Sequence, residues 1–127
     1  MRAKFLILSV VILSIFGCNK DKEVVNIETS IDGKYIGIFE RSASISNVEL
    51  TFNNGTWTGK SQYEKFPALC SGTYSSLGNV MTFENACIWT TEFDATLILA
   101  GDWNYTLNGN LLIMTNVYGD KYTLTKQ

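Results

Sequence analysis

Apolar and polar positions alternate in short stretches from Gly33 to the end of the chain, and Gly, Asn and Asp separate the stretches. A period of two with turn residues between the runs predicts antiparallel β-strands, because successive side chains of an extended chain face opposite sides of a sheet. Residues 33–41 put Tyr35, Gly37 and Phe39 on one side, and residues 46–53 oppose Val48, Leu50 and Phe52 to Glu49 and Thr51. Asn53-Asn54-Gly55 supplies a hairpin turn, since Asn and Gly tolerate positive φ. Residues 56–63 follow with Trp57, Gly59, Ser61 and Tyr63 on one face, and residues 64–69 hold the single proline, Pro67, which breaks the ladder. Residues 70–75 and 80–84 read as a second hairpin about Leu77-Gly78-Asn79, with Met81 and Phe83 inward. Residues 85–94 carry no periodicity. One long strand is expected over 95–107, bent at Gly101 by a bulge, and 111–116 and 121–126 complete eight strands across Asn108-Gly109-Asn110 and Tyr118-Gly119-Asp120.

Eight sequential strands with short turns predict an all-β fold, an antiparallel up-and-down meander closing into a small barrel. Closure removes sheet edges, and eight strands leave an interior that side chains just fill. A two-sheet sandwich is the alternative.

The start of the chain follows a different pattern. An apolar run, residues 5–16, comes after Arg2 and Lys4 and ends at Gly17-Cys18, the layout of a secretory signal peptide. As a helix it would cover about 18 Å, short of the ~30 Å hydrocarbon core of a bilayer. Ile15-Phe16-Gly17-Cys18 resembles the lipobox of bacterial lipoprotein precursors; Ile15, Gly17 and Cys18 fit it, whereas Phe16 departs from the usual small or short branched residue. The resemblance implies a leader over 1–17, an acylated Cys18 followed by a flexible tether over 18–32, and a folded domain over 33–127. It also implies a lipid bilayer as partner through palmitate-type chains on Cys18, and a place in the cell envelope. Asn19, rather than Asp, after the cysteine favours the outer membrane by the enteric sorting rule, on its periplasmic or surface face.

Charge and cysteine content follow from that processing. Losing Arg2 and Lys4 takes Lys plus Arg from 10 to 8 while Asp plus Glu stays at 12, so the formal charge moves from −2 to −4. Mild acidity argues against nucleic acid, whose phosphates require clustered cations. With Cys18 acylated, Cys70 and Cys87 remain as a pair that an oxidising compartment would bridge; two buried free thiols are the alternative.

Within the domain, Gly33-Lys-Tyr-Ile-Gly, Leu50-Thr-Phe-Asn-Asn-Gly-Thr-Trp, Trp103-Asn-Tyr-Thr-Leu-Asn-Gly-Asn-Leu-Leu and Gly119-Asp-Lys-Tyr-Thr-Leu-Thr-Lys resemble segments of small lipocalin-like lipoproteins of bacterial envelopes. That resemblance implies a meander barrel and carries over no catalytic residue. Cys70-Ser-Gly-Thr-Tyr and Ala86-Cys87 bear a weaker resemblance to META domains, which are also small secreted β proteins.

Histidine is absent, which removes imidazole-assisted nucleophiles, His-type zinc sites and the ordinary general base near neutral pH. Glu84, Glu92, Asp94 and Asp102 are the carboxylates left for acid–base chemistry, and they read more simply as solvated loop and rim residues. No calcium loop and no glycine-rich phosphate motif occurs. The expectation is therefore a binding protein, not an enzyme, with no cofactor and no metal. Aromatic side chains are the main resource for binding. They read first as barrel core and second as the wall of a cavity for a small apolar ligand, lined by Trp57, Tyr74, Phe83, Trp103 and Tyr105. The alternative function is a protein-interaction or hydrolase-inhibitor module that meets an envelope protein through the loop around Trp89 and Phe93.

Overall fold

Alternation of buried and exposed residues runs through the strands as the pattern predicts. On β2 (Ser44–Asn53), for example, Ser46, Val48, Leu50 and Phe52 are buried and their neighbours face out. The structure is a computed structural model that describes residues 30–90 and 92–127, so the expected leader, Cys18 and most of the expected tether lie outside the described residues. Before β2 comes β1 (Gly33–Arg41); after it come β3 (Thr56–Ser61), β4 (Ser71–Leu77), β5 (Val80–Asn85), β6 (Gly101–Asn108), β7 (Leu111–Thr115) and β8 (Lys121–Lys126). Each strand pairs antiparallel with the next, and β8 returns to β1 from Tyr35↔Lys126 to Glu40↔Lys121. The sheet is thus a closed eight-stranded meander barrel, not a sandwich.

Ring packing fills the interior. Phe52 meets Tyr35 at 5.5 Å and Tyr74 at 5.1 Å, both edge to face, while Trp57 meets Phe83 at 6.1 Å and Trp103 meets Tyr122 at 5.2 Å. Such pairs contribute about 0.5–1.5 kcal/mol each beyond the burial of their area. Leu50, Met81, Leu112, Met114 and Leu124 fill the gaps between the rings. Two inward glycines are required by backbone approach: a Cβ on Gly37 would strike the Thr123 carbonyl oxygen, and one on Gly72 the Glu84 carbonyl oxygen.

The departures from the sequence reading have local causes. Residues 95–107 do not form one bent strand. Asp94 accepts from the Thr96 backbone N–H and caps a short 3-10 helix, Ala95–Leu97, and β6 starts only at Gly101, whose φ of +77° turns the chain into the sheet. Strand β3 stops at Ser61, two residues earlier than expected, because the following loop folds back and brings the carbonyls of Tyr63 and Pro67 both within hydrogen-bond distance of the Ser61 hydroxyl, whose one proton they share. Tyr63 is consequently exposed instead of inward. Strand β2 begins two residues early, at Ser44, after a two-residue turn in which Ser42 takes a φ of +54°.

The two ends of the barrel are built differently. At one end lie the two-residue turns Asn54-Gly55, Gly78-Asn79 and Gly109-Asn110, together with the segment leading into β1. That turn end is sealed from below: Ile31 packs on the core, the Tyr35 hydroxyl donates to the Ile31 carbonyl, and Asp32 accepts from the Tyr74 hydroxyl and the Asn54 N–H. The other end carries the Ser42-Ala43 turn and the longer connections 62–70, 86–100 and 116–120.

Candidate functional site

The loop end is held together by cross-links between its connections, and each can be traced to particular residues. A disulfide joins Cys70 to Cys87, with Cα atoms 6.3 Å apart, and ties 62–70 to 86–100. A parallel bridge between Ala68 and Ile98 ties the same two connections again, with the Ala68 N–H donating to Leu97. Ala68 and Leu99 are fully buried here, and Phe66 lies edge to face with Phe39 at 5.5 Å, so these segments form a lid over the core.

Arg41, the last residue of β1, links the remaining connections. Its Nε and Nη2 donate to the two carboxylate oxygens of Asp120 at 2.7 Å each, its Nη1 donates to Asp94 at 3.0 Å, and its Nη2 also reaches the Thr96 hydroxyl at 3.0 Å. This bidentate pairing, with further help from Asp94, raises the guanidinium above its ordinary value despite partial burial. Asn116 organises the 116–120 turn: its side-chain oxygen accepts from the N–H groups of Tyr118 and Asp120, and its amide donates to the Asp120 carboxylate.

In the 86–100 connection the Asn85 side chain grips Cys87 through its backbone and also accepts from the Trp89 indole N–H. Trp89 and Phe93 pack edge to face at 5.9 Å, and Lys65 lies over the Phe93 ring while it bonds Thr90 and Glu92. That contact, with Thr90 assisting, pushes the Glu92 carboxyl down to about 2. Thr96 likewise holds the Asp94 carboxyl below its usual range.

The candidate acid–base carboxylates each have a separate partner: Glu92 with Lys65, Asp94 with Thr96 and Arg41, Asp102 with the Thr82 hydroxyl, and Glu84 with the Thr73 hydroxyl. Among the described residues no three Cys, Asp or Glu side chains are grouped so as to hold a metal ion.

Of the residues read as cavity lining, Trp57, Phe83 and Trp103 are buried, and Tyr74 and Tyr105 are half-buried against the core. Trp57, Tyr74 and Phe83 come together, whereas Trp103 packs on Tyr122 and sends its indole N–H to the Ala100 carbonyl. Tyr105 stands on β6 opposite Met114. Cys70 and Cys87 are bonded as expected, and Cys18 lies outside the described residues.

Trp89 and Phe93 are half-buried by their mutual contact and by Lys65, so the outward apolar groups at this end are others. Ile88 is 99 % exposed and Val117 91 %, with Tyr118, Tyr63 and Ile45 also well exposed. Ser44, Ile45, Tyr63 and Phe66 line a shallow groove of about 360 Å³ beside them. Sequence reasoning missed this set. Ile88 sits in an aperiodic segment and Val117-Tyr118 in a tight turn, where alternation says nothing of burial.

Comparison of the chain with protein-family models, with curated proteins and with solved structures gives no match.

Proposed function

We propose that this is a lipid-anchored envelope protein, attached through an acylated Cys18, that acts by binding a protein partner at the loop end of its barrel and not by catalysis. One observation carries the reading. The interior is occupied by packed rings and covered at both ends, while Tyr63, Ile88, Val117 and Tyr118 project from connections that are cross-linked to one another. Exposed apolar side chains on a held frame suit an interface, because little ordering entropy remains to be lost on binding. The partner class is an envelope protein, including a hydrolase whose cleft would take the 86–100 connection.

The chemistry supports the non-catalytic part. A carboxylic general acid requires a raised pKa, and Glu92 and Asp94 are both shifted down. Those shifts suit carboxylates that serve as fixed hydrogen-bond acceptors.

A photo-crosslinking amino acid placed at Ile88 in the acylated chain tests the proposal in intact envelopes. A discrete protein adduct is expected from position 88 and none from position 77 at the turn end. Ile88→Asp, which touches no core residue, should weaken the isolated complex by about 30-fold, as loss of one anchor worth ~2 kcal/mol does. Native mass spectrometry of the Cys18→Ala form supplies the opposing result. Retained small apolar molecules, released on Trp103→Ala, with no adduct at 88, would replace the interaction reading by the carrier reading.

A further inference from the structure

The two ends of the barrel differ in charge as well as in loops. Glu40, Glu64, Glu84, Glu92, Asp94, Asp102 and Asp120 lie on the loop half, against Arg41, Lys65 and Lys121, and between the halves Glu49 faces Lys34 and Lys60. The turn end has Lys34 and Lys126, and its carboxylate Asp32 is engaged by Tyr74 and Asn54. The hairpin tips there also expose leucines: Leu77, before the Gly78-Asn79 turn, is 86 % exposed, and Leu111, after Gly109-Asn110, is partly exposed. Finally, the chain joins the barrel at this end, through Ile31 and Asp32 into Gly33.

We infer that the turn end of the barrel docks on the lipid surface, with Leu77 and Leu111 entering the headgroup region and the loop end facing away from the membrane. The inference rests on the reading that Cys18 is acylated. Residues 19–30 then form the whole link between acyl chains and barrel, and a chain of roughly 12 residues spans at most about 43 Å in any conformation. The turn end is thus held near the bilayer at high local concentration, so a weak contact by two leucines suffices to set orientation. An anionic lipid surface repels the carboxylate-rich loop half and tolerates the turn end, which selects the same orientation. A side effect is that Ile88, Val117 and Tyr118 point to the side from which a partner arrives.

The test uses the full acylated chain in vesicles of phosphatidylethanolamine and phosphatidylglycerol. With Cys18 acylated and Cys70 bonded to Cys87, one introduced cysteine is the sole free thiol. An environment-sensitive fluorophore is attached at Asn79→Cys or at Val117→Cys, both exposed positions, and quenching by headgroup spin-labelled lipid is read. Quenching several-fold stronger at 79 than at 117 is expected, and adding Leu77→Asp to the Asn79→Cys chain should reduce it to the level at 117. Equal quenching at the two sites, stronger quenching at 117, or no effect of Leu77→Asp would overturn the docking. Failure of the chain to sediment with the vesicles would instead overturn the anchoring, and the docking with it. In that way the two readings fail separately.

Discussion

Arg41 and Asp120 allow a sharp thermodynamic test, because the two partners are unequally buried. The Asp120 side chain is 1 % exposed and that of Arg41 22 %. Replacing Arg41 by Met removes both 2.7 Å donors and leaves a buried carboxylate with Asn116 as its remaining side-chain donor among the described residues, at 3.2 Å. An uncompensated buried charge of this kind costs about 3–5 kcal/mol. Asp94 also loses Arg41, but at 57 % exposure it regains water, so Asp94→Asn alone should cost far less than Arg41→Met. Asp120→Asn in the native chain forfeits charge-assisted bonds, about 1.5–3 kcal/mol, while Arg41 keeps solvent and Asp94. In the Arg41→Met background the same change has the opposite sign. It removes the stranded charge, a neutral amide is cheaper to bury, and about 1–3 kcal/mol should return. Urea unfolding followed by tryptophan fluorescence measures this cycle, the Arg41→Met loss appearing as a midpoint shift of about 2 M. If Asp120→Asn destabilises both backgrounds, the buried-charge account of the cluster is wrong.

Two further outcomes follow from the core. Gly37→Ala and Gly72→Ala should each destabilise by about 1–3 kcal/mol or more, because the new methyl meets a backbone carbonyl that side-chain motion cannot relieve; a change under about 0.5 kcal/mol in urea unfolding would contradict the close approach. Alkaline stability should fall because Tyr35, Tyr74 and Tyr122 all have raised pKa values, chiefly through burial, with Tyr74 pushed up to about 12. Their folded values lie above the unfolded value of about 10, so their contribution is full below pH 10 and is lost as pH rises through the folded values. Urea midpoints should be flat to about pH 9.5 and drop by about pH 11, and a midpoint unchanged across that range would refute the assignment.

The barrel was legible in the sequence wherever a strand is half-buried and its turn carries a positive-φ residue. Asn54-Gly55, Gly78-Asn79 and Gly109-Asn110 announce three hairpins, and alternation identifies Val48, Leu50 and Phe52 as inward. The start of β2 was not legible, because Ser42-Ala43 offers no Gly or Asn although Ser42 adopts positive φ. The stretch 95–107 reads as a strand because Leu97 and Leu99 alternate, yet both belong to the lid, where burial comes from packing against the core cluster and not from a sheet face. The disulfide was expected from cysteine number and the compartment the leader pattern implies, a chemical argument needing no geometry. The Arg41 cluster had no sequence signature, since Arg41, Asp94 and Asp120 lie far apart in the chain and meet only when β8 closes on β1.

That closure also bears on how a small barrel can have a functional face. In a meander each loop joins neighbouring strands, so loops at one end are topologically independent and would move separately if nothing linked them. Here the disulfide and the Ala68–Ile98 bridge join 62–70 to 86–100, and Arg41 joins 86–100 to 116–120 and to the end of β1. Three connections therefore behave as one frame, and the apolar residues on them keep fixed spacing. The turn end is tied by backbone bonds instead: besides the Asp32 contacts, the Tyr74, Tyr105 and Lys126 N–H groups donate to the carbonyls of Gly55, Asn79 and Asn110, and two-residue turns are already rigid. The loop-end linkages are more than a lid over packed rings requires, since Ala68, Leu69 and Leu99 already cover the core. Arg41 adds order to the 116–120 turn, whose outward residues Val117 and Tyr118 contribute nothing to that core. Val117 and Tyr118 are thus held in place without serving the core, which is the physical reason to seek the proposed partner there.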